Sequence, residues 1–267
     1  METLTCERGR VQCLLYPWIL FSLMQEDSFP GSLMGTPLPE VGRSITCSVA
    51  GCDIAVIRQT GGAGVRLLDL RSQSLPADSI GFAFRSQSEA LGFFENNRFP
   101  LRSLRGLSHV PAWFRFIRNL LALKQRMSTQ AWQHAQPQEL LAKTLLTLRA
   151  AVAGLNGLRE VDDFSRGLMD HLPDGRISLF IGGVEANLGC ITVQEGRLSW
   201  VSDGSAVGGR SVDFRFANLE VAWKSVANLA DNLAAVGKGE IQLRGYIPLA
   251  DGFNHLLDRL QMYVSTS

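Results

Sequence analysis

Apolar positions along the second half of the chain switch between the two periods that distinguish helices from strands. Leu141, Leu145, Leu148, Val152 and Leu155 recur at helical spacing, which predicts an amphipathic helix over 138–156 that ends near Gly154 and Gly157. The pattern then alternates, predicting strands at about 175–184, 187–194, 197–202 and 210–217, with turns at Gln194-Glu195-Gly196 and Asp203-Gly204-Ser205. These strands are expected to form a meander. Leu219, Ala222, Trp223, Val226, Leu229 and Leu233 restore the helical period over 219–236 until Gly237 and Gly239 break it. A strand over 240–247 follows, and Asp251 is placed to cap a last helix with Phe253, Leu256, Leu257 and Leu260 on one face.

The first half carries the same landmarks in the same order. Gly42-Arg43-Ser44-Ile45 corresponds to Gly175-Arg176-Ile177-Ser178, each preceded by a Leu-Met pair and a proline (Leu33-Met34 and Pro39; Leu168-Met169 and Pro173). Ser79-Ile80-Gly81-Phe82-Ala83-Phe84 matches Ser211-Val212-Asp213-Phe214-Arg215-Phe216, two aromatics on one face of a strand, and a helical run follows each. Leu104-Arg105-Gly106 matches Leu243-Arg244-Gly245, and each leads through a proline (Pro111, Pro248) into an amphipathic helix. Ordered matches of this kind indicate an internal repeat. The expected organisation is a first module over 1–128, a polar linker over 129–137 and a second module over 138–267. The middle helix of the first module, 86–97, is expected to be shorter than its counterpart over 219–236.

Composition narrows the class without naming a chemistry. The 267 residues are 46% hydrophobic and 19% charged with a formal net charge of +1, so a sizeable core is available and nothing draws the whole chain to nucleic acid. Five cysteines are odd in number and spread thinly, which points to a reducing, cytoplasmic setting rather than a disulfide scaffold. Val11 to Met24 is apolar, but Glu2 and Glu7 precede it and no small-residue cleavage site follows, so it is read as part of the fold and not a leader. It is also too short to span a bilayer.

A leading helix, strands, a helix, one more strand with a Leu-Arg-Gly step and a closing apolar helix resemble the sterol carrier protein type 2 family. The resemblance is strongest over Val212 to Val264, notably Val236-Gly237-Lys238-Gly239-Glu240-Ile241-Gln242-Leu243-Arg244-Gly245-Tyr246, and extends faintly to 42–126. It implies an α+β fold of two modules, each a mostly antiparallel sheet covered by helices around an apolar tunnel. The lining it implies is Phe214, Phe216, Trp223, Val226, Leu229, Phe253, Leu256, Leu257 and Leu260, with a lipid, sterol or isoprenoid-like molecule as ligand and no cofactor. Two other readings stay open: an enzyme using the same cavity for acid/base cyclisation or rearrangement, and a scaffold with filled tunnels that pairs with a protein partner or a second copy.

Few residues carry a recognisable catalytic or metal-binding pattern. No Gly-x-Ser-x-Gly elbow or Walker loop occurs, Gly61-Gly62-Ala63-Gly64 lies between strands as a turn, and no cysteine or histidine spacing fits zinc. Asp213 and His255 are the candidates for a proton donor, Asp213 only if the sheet face opposite its aromatics forms the cavity wall. Arg115, Arg118, Lys124 and Arg126 share a helix with Trp113, Phe116, Ile117, Leu120 and Leu121, a combination suited to transient contact with anionic lipid or to a solvated face above a buried stripe.

Overall fold

Short runs of β-branched and aromatic residues bounded by Gly, Asp and Asn set two five-stranded sheets among helices in the computed structural model, which describes residues 2–24, 43–59, 64–96, 98, 100–127, 135–182, 186–201 and 209–264. The first unit runs α1 (Glu2–Leu23), β1 (Ile45–Val49), β2 (Ile54–Arg58), β3 (Val65–Asp69), β4 (Ile80–Phe84), α2 (Gln87–Asn96), β5 (Leu104–Arg105) and α3 (Val110–Met127). The second runs α4 (Pro137–Val161), α5 (Asp163–Asp170), β6 (Gly175–Ile181), β7 (Ala186–Gln194), β8 (Arg197–Val201), β9 (Arg210–Phe216), α6 (Leu219–Val226), α7 (Asn232–Gly237), β10 (Ile241–Gly245) and α8 (Ile247–Val264).

Both sheets have one topology. Their orders are β3-β2-β1-β4-β5 and β8-β7-β6-β9-β10, and in each the central strand pairs antiparallel with its successor and parallel with the fourth strand. The likeness holds residue by residue at the fourth strand. Gly81 pairs with Arg105 and Phe82 with Leu104, as Asp213 pairs with Arg244 and Phe214 with Leu243. Ser86 Oγ and Asn218 Oδ1 then accept the N–H groups of Glu89 and Val221, capping α2 and α6 at matching positions. Gly106 and Gly245 end the fifth strands with φ of +72° and +112°, and a Cβ there would lie 2.4 Å from the Ser79 carbonyl oxygen and 2.2 Å from that of Ser211. The same step thus needs glycine twice. An α+β fold of two such sheets is consistent with internal duplication.

Several expectations need correction. The second sheet is a meander only through β8. β9 returns to pair parallel with β6, which places the apolar β6 and β9 side by side where both can be covered. The tetrapeptide match at the first strand slips by one residue, because Ile45 pairs with Ile80 and Ile177 with Val212, making Ile45 the equivalent of Ile177. The predicted helix over 219–236 is split: Asn228 takes φ of +55°, and Asp231 caps α7 by accepting from the N–H groups of Leu233 and Ala234. The first unit's middle helix is therefore the longer one, with 10 residues in α2 against 8 in α6. The last helix begins at Ile247 instead of after Asp251, with Pro248 in its first turn, where a missing N–H costs nothing. Leu33, Met34, Pro39, Gly42, 60–63, 128–134 and 202–208 lie outside the described residues.

The helix over 138–156 extends through both glycines to Val161. A Cβ on Gly157 would lie 2.7 Å from Trp18 Cδ1, and one on Gly154 would lie 3.2 Å from Ile19 Cδ1 and 3.0 Å from Leu260 Cδ1. The glycines admit α1, and close packing outweighs the roughly 1 kcal/mol each costs in a helix. From Val11 onward helix α1 is apolar on nearly every side, with Val11, Leu14, Leu15, Trp18 and Phe21 all buried, and it packs on β2, α2, α4 and α8. The larger of two hydrophobic clusters is shared by both units, and a smaller one of Ala55, Ile57 and Leu68 lies in the first. Among the described residues no helix is long and apolar enough to cross a membrane.

Candidate ligand-binding site

The second sheet turns one face to its helices. Ile177, Leu179, Ile191, Val193, Leu198, Val212, Phe216 and Ile241 on that face share a core with Leu155 and Leu158 of α4 and with Phe253, Leu256 and Leu260 of α8. Of the nine residues expected to line a tunnel, Phe216, Trp223, Phe253, Leu256 and Leu260 are buried, and Phe214, Val226 and Leu257 are half-buried. Leu229 is 50% exposed, because the break after α6 carries it out to the surface. Of these nine, eight fall on or beside the interior and Leu229 does not.

Trp223 is the unusual member. Its side chain is 1% exposed, yet its indole Nε1–H meets no acceptor among the described residues. An indole donor in that state costs about 1–3 kcal/mol. Trp113, in the first unit, shows the ordinary solution: its Nε1–H donates to the carbonyls of Arg105 and Gly106 at 2.9 and 3.1 Å. A second donor is also interior. Arg149 of α4 is 3% exposed and lies 5.6 Å from the centre of the Trp200 ring, which rests on Gly189. It stands at helical spacing between Leu145 and Val152, so a charge inside a predicted apolar stripe was the signal that could have singled it out.

The equivalent space in the first unit is filled by rings. Phe82 packs against Phe84, Phe93, Trp113 and Phe116 at centroid distances of 4.7 to 5.8 Å. Phe21 from α1 adds to the cluster through Phe116. Among the described residues Phe214, Phe216 and Trp223 make no ring contact of this kind.

The proton-donor candidates lie away from this interior. Asp213 is on the opposite sheet face from Phe214, with Arg215 Nη2 3.4 Å from its carboxylate. The condition that would have made it a cavity acid is not met, since the helices cover the other face. His255 points outward from α8 beside Asp251 at 3.7 Å, with 64% of its side chain exposed. Among the described residues no group of three potential metal ligands occurs.

Asp162, which caps α5, organises a network that no local sequence pattern signals. Its carboxylate accepts from Arg259 Nη2 at 3.0 Å and Nε at 3.3 Å, from the Ser165 N–H at 3.0 Å and from the Tyr263 hydroxyl at 3.3 Å. Burial alone would raise its pKa, but the Arg259 and Ser165 hydrogen bonds prevail and hold the carboxyl below the ordinary carboxylate range. The network joins the α4–α5 corner to α8, and Gln12 of α1 donates to the Tyr263 carbonyl at 2.7 Å. This is a structural joint. In the first unit the Cys13 thiol is pushed up to about 12, and that of Cys47 further, chiefly by burial, so both are weak nucleophiles.

No protein-family model matches the sequence, and no curated protein matches it. Among solved structures, one described as "UbiJ-SCP2 Ubiquinone synthesis protein" is similar over 41% of this chain and 94% of its own, with 16% identity and a TM-score of 0.31.

Proposed function

We propose that the chain binds a hydrophobic small molecule that carries a hydrogen-bond acceptor, beneath the helices of the second sheet, while the first unit serves as its packed partner. The observation that carries this reading is the buried Trp223 Nε1–H with no acceptor: an apolar ligand with a carbonyl, hydroxyl or ether oxygen would supply the missing half of the bond. The resemblance of 212–264 to sterol carrier domains supports the same reading, as does the ring-filled first unit, which leaves the second as the place for a ligand. Buried thiols at Cys13 and Cys47 support a reducing compartment.

The test is native mass spectrometry of the purified protein, followed by organic extraction and rebinding of the extracted molecule. A near-stoichiometric lipid or isoprenoid is expected, and Trp223→Phe should weaken its rebinding about fivefold, the value of one hydrogen bond of roughly 1 kcal/mol. A protein that carries nothing and takes up no lipid from a mixed extract would refute the proposal.

A further inference from the structure

Helix α3 closes the first unit with one apolar face buried and a second apolar face left outside. Ala112, Trp113, Phe116, Leu120 and Leu123 point inward, and all are under 9% exposed. On the other side Val110, Phe114 and Leu121 are 67%, 70% and 61% exposed, and Leu107 in the turn before the helix is 59% exposed. Leu121 was grouped from sequence with the buried stripe; the structure sets it outward. Val110, Phe114 and Leu121 lie on one side of the helix, with Arg118 a turn from both Phe114 and Leu121 and Arg115 beside them, both arginines exposed. This is an apolar ridge flanked by cations.

Along the chain, the charge flanking the ridge is of one sign. From Arg98 to Met127 the sequence has seven Lys or Arg residues and no Asp or Glu, in a chain whose formal charge is +1 overall, so the remainder is net acidic. Exposed Arg98 and Arg102 lead up to the helix. The equivalent closing helix of the second unit, α8, contains Asp251 and Asp258 and has no such excess.

We propose that the outer face of α3, with the turn at Leu107, docks on an anionic lipid bilayer. Phe114, Leu121, Val110 and Leu107 would enter the headgroup boundary, and the surrounding arginines would meet acidic headgroups, a pairing that combines apolar burial with electrostatic attraction. A second copy of the chain is a poor fit for the same face, because it would set Arg115 and Arg118 against their own duplicates. The proposal goes beyond ligand binding and stands or falls separately from it, since the face lies on the first unit and the substitutions that test it leave Trp223 and the second unit untouched.

Flotation of the full chain with phosphatidylcholine vesicles, with and without phosphatidylglycerol, is the test. Binding is expected only with the anionic lipid and should fall as salt is raised. Phe114→Glu with Leu121→Glu should lower the vesicle-bound fraction at least about tenfold while leaving the thermal melt unchanged, as both side chains are already solvent-facing. Arg102→Gln with Arg118→Gln should weaken binding without touching the apolar ridge. Failure of the wild-type protein to float, equal binding to neutral vesicles, or undiminished binding of the folded double-Glu variant would overturn the proposal. So would a wild-type dimer that the double-Glu variant renders monomeric, which would make a second copy the occupant.

Discussion

Two buried tryptophans in this chain differ in one respect that a single substitution can weigh. Trp113 is 7% exposed with its N–H shared by the carbonyls of Arg105 and Gly106, whereas Trp223 is 1% exposed with its N–H unanswered. Replacing either by Phe removes the same ring atoms, so the packing loss is similar and cancels in the comparison. At position 113 the change also deletes a made hydrogen bond worth about 1 kcal/mol, while at position 223 it relieves an orphan donor that costs about 1–3 kcal/mol. Trp113→Phe should therefore be the more damaging variant by about 2–4 kcal/mol, a difference of roughly 1 M in urea midpoint for a slope of about 2–3 kcal/mol per M. Equilibrium urea unfolding of lipid-extracted protein, followed by helical circular dichroism, reads this directly. Equal midpoints for the two variants would show that Trp223 has an acceptor in the empty protein, and would remove the main support for a ligand at that position.

The crossing of α1 and α4 gives a second contrast. Gly157→Ala places a methyl group 2.7 Å from Trp18 Cδ1 and should destabilise by about 1–3 kcal/mol, whereas Gly167→Ala in α5 meets nothing within 4 Å and should stabilise by about 0.5–1 kcal/mol; thermal melts of the two should shift in opposite directions. Asp162 predicts an acid limb. Its folded pKa lies below its unfolded value near 3.9, so its contribution is complete above that value and is lost as pH falls through the folded one. Asp162→Asn should lower stability at neutral pH by about 1–3 kcal/mol and make the urea midpoint fall less steeply between about pH 5 and pH 2 than in the wild type. An unchanged acid slope would show that the carboxylate is not held by Arg259 in solution.

Local periodicity carried much of the architecture. Ser79 to Phe84 and Ser211 to Phe216 were legible because alternation sorts two phenylalanines to one face in each, and those faces do turn to the helices. What local pattern missed is what depends on distant partners. A glycine reads as a helix stop until Trp18 is found lying on Gly157, and four alternating runs read as a meander until β9 pairs with β6. Asn228 and Asp231 carried a local signal for the break between α6 and α7, and the apolar spacing from Leu219 to Leu233 concealed it. At the candidate site, periodicity placed Phe216, Phe253, Leu256 and Leu260 in the interior but carried Leu229 along with them. The free indole N–H of Trp223 had no sequence signature, because it is defined by an acceptor that the surrounding chain does not provide.

The position of α1 bears on how the chain is made. The apolar half of α1 finds its crossing partner only when Gly154 and Gly157 have been added, and Gln12 reaches its acceptor on Tyr263 only after 251 further residues. At about 5–20 residues per second that wait is roughly ten to fifty seconds, longer than most elementary folding events. The seating of α1 on α4 and α8 thereby waits for the second unit. The leading helix must rest against its own sheet or be held by a chaperone, and its final seating is a late step, set by the arrival of the second unit.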